Sequence, residues 1–202
     1  MSTTTITYIG GPTAVLEYAG LRFITDPTFD GPGTYSEPGT TTLVKTAGPA
    51  IARTDLDPID MVLLSHHSHR DNLDYEGLEL IATGIPTLST RDAATALFGG
   101  SVIGLDSWET YEFGPVTVTL LPALHGPPGS ERLVGEVTGF MLEADGEPTV
   151  YVSGDNASLP LRTGSRPRRS SFGGTCRTGS SCSRSRTRAS AWPRTSTCSV
   201  SS

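Results

Sequence analysis

The chain has 202 residues and a formal net charge of −6, and this length suits one domain or one and a half. No stretch approaches the roughly 20 consecutive apolar residues of a membrane-spanning helix. The N-terminal MSTTTITYIGG lacks the basic region and the long apolar stretch of a secretion signal. Composition therefore excludes a chain that spans a membrane and predicts a soluble cytoplasmic protein.

The first half of the chain combines strand and helix patterns. The segments TTITYIG, AVLEYAG and LRFITDP predict three short strands, with Ala19-Gly20 as a tight turn. Residues 28–58 are rich in Gly, Pro and Thr and predict a long surface loop. A buried strand, IDMVLLS (59–65), then precedes the helix LDYEGLELIATG, the strand PTLST and the helix RDAATALFGG.

Strand patterns return from Ser101 onward. They are SVIGL, TYEFG, VTVTLLPALHG and GFMLEADGEPTVYVSGD, and Asp145-Gly146 within the last is a hairpin signal. This order of elements predicts stacked layers, with sheets inside and helices outside.

Composition changes abruptly after residue 158. Residues 1–158 hold all 21 acidic residues and all four histidines, whereas 159–202 hold nine arginines, no acidic residue and all three cysteines. We therefore divide the chain into a domain, 1–158, and an Arg- and Ser-rich tail, 159–202. The tail has no helical or strand period, and one interpretation is a disordered basic arm that binds nucleic acid or an acidic partner.

The genetic code favours a second interpretation, that the tail is translated out of frame. We read WPRTSTC from the third base of each codon, with G or C at the wobble positions. The result is Ala, then Ala or Pro, then Asp or His alternating with Val or Leu. Because acidic and apolar residues reappear in strand-like alternation, we expect a frameshift near residue 160. Sequencing of codons 155–165 tests this, and an intact frame with ordinary codon usage contradicts it.

Residues 63–74, LLSHHSHRDNLD, place three of the four histidines where the predicted buried strand ends. Neutral imidazoles and carboxylates are the usual protein ligands of zinc and related divalent metals. His66 and His67 are adjacent and point in opposite directions in an extended segment, so they do not bind one ion together without a bend. His67 with His69, or His66 with His69 across a bend, are better pairs. The alternative is a polar, helix-capping turn whose imidazoles face water.

Three further polar residues also follow predicted strands. His125 ends TLLPALH, Asp155 ends TVYVSGD and Asp26 ends ITD, and each alone is also consistent with an ordinary surface residue or turn. Strand ends in layered α/β folds gather at one edge, so we expect these residues to join the cluster. Such a set can hold one or two metals with an open position for water. A metal there lowers the pKa of the water and polarises a carbonyl or phosphoryl oxygen.

The same segments carry a family resemblance. Residues 5–158 resemble the metallo-β-lactamase-fold hydrolases, most closely the branch similar to the L-ascorbate-6-phosphate lactonase-like proteins. The matching segments, in order and spacing, are ITYIGGPTAVLEYAGLRFITDPTFD, LLSHHSHRDNLD, LLPALHGPP and TGFMLEADGEPTVYVSGDN. The resemblance implies an αββα sandwich, an α/β fold of four layers, with a metal site at the sheet edge. Nothing in 159–202 matches, so we expect the C-terminal half of the sandwich to be incomplete.

The resemblance also implies roles for single residues. His125 resembles the third metal histidine and Asp155 the metal-bridging aspartate. His69 and Asp71 are the candidate catalytic residues, with Asp71 as a metal ligand or as the acid that orients the water. The full set of candidate metal ligands is His66, His67, His69, Asp71, His125 and Asp155.

The histidine motif departs from the common family pattern His-x-His-x-Asp-His. Aligned through Asp71, it gives His67-x-His69-x-Asp71-Asn72, with Asn72 in place of the last histidine. Asparagine is a poor zinc ligand, so this departure bears on the second metal position. Relatives that resemble SHDHHxDNLD share His66, His69, Asp71 and Asn72 with this chain.

The resemblance implies a metal-dependent hydrolase that uses metal-activated water on an ester, lactone, amide or phosphoester of a small molecule. Zinc is the expected cofactor, with manganese or iron as alternatives and one or two ions in the site. Two other hypotheses stand beside it: a truncated, non-catalytic member of the same family, and a metal-site domain with a basic nucleic-acid-binding arm. We expect no membrane partner.

Overall fold

The structure is a computed structural model that describes residues 4–36, 42–97, 101–127, 129–130 and 134–157. The sequence-defined tail, 159–202, lies outside the described residues. In chain order the described elements are β1 (Thr5–Gly10), β2 (Thr13–Tyr18), β3 (Leu21–Thr25), β4 (Gly33–Tyr35), β5 (Leu43–Lys45), a 3-10 helix (Arg53–Asp55), β6 (Met61–Leu63), α1 (Tyr75–Ala82), β7 (Thr87–Thr90), α2 (Arg91–Ala96), β8 (Val102–Leu105), β9 (Thr110–Phe113), β10 (Val116–Pro122), β11 (Thr138–Glu143) and β12 (Val150–Val152).

Two sheets carry most of these strands. The first has the order β1-β2-β3-β6-β7-β8, antiparallel from β1 to β3 and parallel from β3 to β8. The second has the order β12-β11-β10-β9 and is antiparallel throughout. The tight turn predicted between β2 and β3 is present, with Ala19 at φ 51 and Gly20 at φ 81.

The main core lies between the two sheets. Alternate side chains of the first sheet, such as Phe23 and Leu63, pack against alternate side chains of the second, such as Val118 and Phe140, and all four are fully buried. A second cluster covers the other face of the first sheet, where Ile81 of α1 packs with strand residues. The predicted arrangement of sheets inside and helices outside is therefore confirmed.

The parallel strands direct their carboxyl ends toward one edge. Strand β6 has every residue fully buried, as expected from its continuous apolar run, because the second sheet covers one face and α1 covers the other. Asp74 caps the N-terminus of helix α1, and its Oδ1 accepts a hydrogen bond from Gly77 N at 2.9 Å. The histidine-rich segment fills the short connection between β6 and this helix.

The prediction of a long surface loop over 28–58 was wrong in part. The segment contains the β4–β5 hairpin and the 3-10 helix. Both strands have only three residues, and one of the contacts that hold the hairpin is distant in sequence. Lys45 Nζ lies 3.0 Å from the fully buried Asp74 Oδ2, and the Tyr35 hydroxyl donates to Asp30 Oδ2 at 2.9 Å. Local sequence carries no signal for the contact between Lys45 and Asp74, which are 29 residues apart.

Strand β1 is less well covered than its neighbours. Ile6 pairs directly with Leu16, so the two side chains lie on the same face of the sheet. On that face Leu16 packs into the main core between the sheets. Ile6 and Tyr8 are nevertheless 66% and 67% exposed, so the described strands of the second sheet do not cover β1. Among helices of the described residues, none has the length and apolarity needed to cross a membrane.

Candidate metal centre

Ser65 fixes the start of the histidine-rich segment at the junction of the two sheets. Its backbone N–H donates to Asp26 Oδ1, at the end of β3, over 2.6 Å. Its carbonyl accepts from Thr138 N, the first residue of β11, over 3.0 Å. One residue therefore links both sheets and sets the direction in which the following histidines leave β6.

Three histidines converge directly beyond this point. His66 Nε2 lies 3.1 Å from His69 Nδ1, and His125 Nε2 lies 3.3 Å from the same His69 nitrogen. All three ligand atoms lie within 4.8 Å of one another. The rings meet edge to face, with centroids 5.0 to 5.5 Å apart, so that the nitrogens rather than the ring faces point inward. We call His66, His69 and His125 the histidine triad.

The spacing of the triad fits a divalent metal. Zn–N bonds of about 2.0–2.1 Å in tetrahedral geometry place two ligand nitrogens about 3.3 Å apart, which matches the two shortest distances in the triad. Burial, with smaller effects of the neighbouring histidines, lowers the pKa of His66 from 6.5 to about 3. His66 is therefore neutral at ordinary pH, the form in which imidazole binds a metal.

A hydrogen-bond network behind His66 sets which of its nitrogens faces the triad. Ser65 Oγ lies 3.0 Å from His66 Nδ1, and Asn72 Nδ2 donates to the same Oγ over 3.3 Å. A neutral His66 that offers its Nε2 lone pair carries its proton on Nδ1, and that N–H then donates to Ser65 Oγ. Asn72 is thus occupied as a buried donor, which explains why it stands outside the triad.

Asp26 lies below this network and is fully buried. Burial raises the pKa of its carboxyl to about 7, opposed by hydrogen bonds from Ser65 and Asn72, and the nearby carboxylate of Asp155 raises it further. Its backbone has φ 32, an uncommon value outside glycine, and its N–H donates to Leu63 O. Asp26, which ends the ITD segment, therefore supports the site through its hydrogen bond with Ser65.

Asp155 reaches the triad from the second sheet. Its Oδ2 lies 3.7 Å from His125 Nε2, and both side chains are about two-thirds buried. The preceding Gly154 has φ 54, and a Cβ there would lie 2.6 Å from Thr138 O and 2.7 Å from Ser65 Cβ. Only glycine permits this approach, which brings the Asp155 turn against the histidine-rich segment.

Two candidates lie apart from the triad. His67 is half-buried. Burial lowers its pKa, and the negative charge of Asp92, in the first turn of α2, raises it by a smaller amount. Asp71 is exposed and lies with Arg70 on the wall of a neighbouring cavity. The structure thus brings His66, His69, His125 and Asp155 together and leaves His67 and Asp71 outside the group.

Ser65 has a role at the site that the sequence did not suggest, and Asn72 was noted only as a missing histidine. The position of Ser65 in the sequence could have indicated its role. A hydroxyl directly before the first histidine, after a buried strand, is within hydrogen-bonding reach of that histidine ring. A side chain that supports a ligand has no motif of its own, because any short donor or acceptor in that place can serve.

Several solved structures share this fold. A possible metal-dependent hydrolase from Veillonella parvula is 21% identical with a TM-score of 0.65, over 80% of this chain and 66% of that one. An isothiocyanate hydrolase from Delia radicum gut bacteria is 21% identical with a TM-score of 0.65, over 78% and 65%. The diiron β-hydroxylase CmlA from Streptomyces venezuelae is 23% identical with a TM-score of 0.54, over 76% and 30%. Identities this low show a shared fold alone.

The chain spans just under two thirds of the length of the first two of these proteins. No curated protein matches the sequence. Residues 21–170, about three quarters of the chain, match the family described as the beta-lactamase superfamily domain. The layered sheets and the histidine triad at their edge agree with this match. The match shows that the chain belongs to the beta-lactamase superfamily.

Proposed function

We propose that this protein is a metal-dependent hydrolase of a small molecule, and that His66, His69 and His125 hold a divalent metal, with Asp155 beside them. The bond that it hydrolyses is an ester, lactone, amide or phosphoester. The observation that carries the proposal is the convergence of three histidine nitrogens, two pairs of them 3.1 and 3.3 Å apart, at the edge of two packed sheets.

The residues of the chain have distinct parts in this proposal. A divalent metal supplies a Lewis acid and lowers the pKa of a water bound to it. Ser65 holds the proton of His66 on Nδ1, which leaves Nε2 directed at the triad. Asp155, 3.7 Å from His125 Nε2, offers a carboxylate that can join the ligands or accept a proton from the water. Asp71, on the cavity wall, remains a candidate for orienting water or substrate.

Metal titration tests the proposal directly. The chelator-treated protein is titrated separately with zinc, manganese and iron(II), and we expect about one equivalent to bind tightly at the triad. His69→Ala removes the nitrogen shared by both short distances, so we expect its affinity to fall at least tenfold. His67→Ala, next to the triad but outside it, is the matched control and keeps wild-type affinity. Less than about a tenth of an equivalent bound by the wild type contradicts the proposal.

A second candidate is a non-catalytic member of the same family. This candidate is favoured by the exposure of Ile6 and Tyr8 on the face of β1 that continues the main core. The described strands of the second sheet do not cover this face, which leaves apolar surface exposed. Circular dichroism during heating separates the candidates. A single cooperative melt supports an intact domain, whereas a broad, non-cooperative change supports the non-catalytic candidate.

The remaining sequence predictions stay predictions. They include zinc as the preferred metal, the lactonase-like branch and the cytoplasmic location. A nucleic-acid-binding arm falls in 159–202, outside the described residues. Its test is salt-dependent binding to DNA or RNA that is lost when the tail is deleted.

A further inference from the structure

A cavity of about 570 Å³ lies beside the turn that carries His69. The Gly10-Gly11-Pro12 turn, the β4–β5 hairpin and residues 46–50 form its walls, and Arg70 and Asp71 close the remaining side. Asp71 is two residues from His69, so the cavity wall and the histidine triad share one short turn. The cavity therefore adjoins, along the chain, the segment that carries His69.

The walls of the cavity are largely apolar. Tyr8, Pro12, Leu43, Val44 and Pro49 contribute to them. Tyr8 and Val44 are both 67% exposed and are among the exposed large hydrophobic side chains in the described part of the chain. Apolar side chains gathered at the rim of a cavity mark a place where an apolar ligand gains by leaving water.

The cationic groups of the wall are already engaged. Lys45 Nζ pairs with Asp74 Oδ2 at 3.0 Å, and the Asp74 side chain is fully buried. The Arg70 guanidinium lies 4.6 Å from the centre of the Tyr75 ring and contacts Leu73 O. An anion that recruited Lys45 would leave the buried Asp74 carboxylate without its counter-ion, which is strongly unfavourable.

The other polar groups of the wall also argue against an anionic ligand. The Tyr35 hydroxyl donates to Asp30 Oδ2, and Asp71 adds a negative charge on the side nearest the triad. A phosphate or carboxylate in the cavity would therefore meet a like charge and no unpaired cation among the lining side chains. An uncharged apolar group meets neither cost.

We propose that this cavity receives an uncharged alkyl or aryl arm of the substrate, so that the substrate is a neutral ester or lactone rather than a phosphorylated sugar. The inference rests on the proposed hydrolase function. In the reaction, the bond between the acyl carbon and the leaving oxygen breaks, and the oxygen of water bonds to the acyl carbon. One proton of the water passes to the leaving alcohol, and the other is released as the carboxylic acid ionises.

Chain length of the substrate provides the first arm of the test. The metal-loaded full chain is assayed with 4-nitrophenyl acetate, butyrate and hexanoate. Because each methylene removed from water improves binding about fourfold, kcat/KM should rise by about that factor for each added methylene. Val44→Asp places a charge on the wall and should raise the KM for hexanoate at least tenfold, more than it raises the KM for acetate. Ile6→Asp, equally exposed but outside the cavity, is the matched control.

Equilibrium binding provides the second arm and does not depend on catalysis. Calorimetry should show that hexanamide binds to the wild type. Val44→Asp should weaken this binding about tenfold, and Ile6→Asp should leave it unchanged. Phenyl phosphate should not compete with hexanamide. Equal effects of the two variants, or tighter binding of phenyl phosphate than of hexanamide, overturn the inference. Hexanamide binding with this pattern, without hydrolysis of any ester, lactone, amide or phosphoester by the metal-loaded protein, supports the apolar cavity and contradicts the hydrolase function.

Discussion

Ser65 Oγ lies 3.0 Å from Nδ1 of His66, the next residue in the chain, and this contact fixes the ring of the most buried member of the triad. The same serine links the two sheets through its backbone, to Asp26 and to Thr138. The direction of His66 is therefore set by the packing of the whole sandwich rather than by the flexibility of a loop. Preorganisation of this kind reduces the entropy lost when a metal binds.

The serine contact predicts a loss of metal affinity without a loss of fold. Ser65→Ala keeps both backbone hydrogen bonds and removes the hydroxyl that accepts from His66 Nδ1 and from Asn72 Nδ2. We therefore expect zinc affinity to fall about ten- to hundredfold. Competition with a chromophoric chelator measures it. Ser89→Ala is the control, because Ser89 is equally buried and donates to Leu64 O without touching the triad. Equal affinities of the two variants would argue against the role of Ser65.

Gly154 predicts a steric effect at the Asp155 turn. In Gly154→Ala the new Cβ meets Thr138 O and Ser65 Cβ at 2.6 and 2.7 Å and also occupies φ 54. We expect a loss of about 3 kcal/mol in the free energy of unfolding and a clear drop in zinc affinity. Urea denaturation measures the first quantity.

The matched control for that variant is Gly146→Ala, in the β11–β12 hairpin. Gly146 has φ 79 with nothing within 4 Å of the new Cβ, so only the backbone cost of about 1 kcal/mol remains. Its zinc affinity should equal that of the wild type. If both glycine variants lose the same stability and keep full affinity, the close approach at Gly154 does not position the site.

Asp26 predicts a pH-dependent contribution to stability. Its pKa is raised from 3.8 to about 7 by burial, so the folded protein holds a proton that the unfolded chain releases. The stabilisation is complete below about pH 3.8 and is lost as the pH rises through about 7. Between these values the free energy of unfolding of the wild type minus that of Asp26→Asn should fall by up to about 1.4 kcal/mol per pH unit.

Chemical denaturation in the presence of a chelator measures this difference without interference from metal. Asp145→Asn, at an exposed position of a hairpin turn, is the control and should follow the wild-type profile. A difference between the wild type and Asp26→Asn that stays constant from pH 4 to pH 7 would mean that Asp26 is ionised alike in the folded and unfolded states.

The Lys45–Asp74 pair predicts that the β4–β5 hairpin is anchored to α1. Asp74 Oδ2 accepts from both Lys45 Nζ and Asp30 N while the carboxylate caps the helix. Lys45→Met leaves a fully buried carboxylate without its cation, so we expect a loss of about 3 kcal/mol in the free energy of unfolding.

Urea denaturation checks this loss, with Arg53→Met as the control. The Arg53–Glu76 ion pair lies at the surface of the same helix, with side chains 25% and 47% exposed, and should contribute less than about 1 kcal/mol. If the two variants lose equal stability, the buried pair does not anchor the hairpin.

The sequence predicted the fold well where local patterns are strong. The continuous apolar run of β6 and the helical spacing of α1 identified both elements, because tertiary packing and local preference agree there. The β4–β5 hairpin was missed because its three-residue strands are short and because Lys45 of β5 pairs with Asp74, which no local pattern connects to it. The convergence of His66, His69 and His125 was expected in outline from strand ends alone.

The finer geometry of the site was beyond the reach of the sequence. The motif left two pairings open, His66 or His67 with His69, and the resemblance to SHDHHxDNLD favoured His66. The direction of each ring depends on how Ser65 is held between the sheets. Asp71 matched the family pattern by spacing, yet its side chain lies on the cavity wall because the turn after His69 directs it outward. Such directions follow from long-range packing.

X-ray absorption at the zinc edge of the metal-loaded protein tests the central claim, that the histidine triad holds a metal, most directly. We expect about three imidazole nitrogens at about 2.0–2.1 Å in the wild type and two in His125→Ala, with no change in His67→Ala. A spectrum without imidazole scattering, or one that His125→Ala leaves unaltered, would contradict the claim that these three histidines form the metal site.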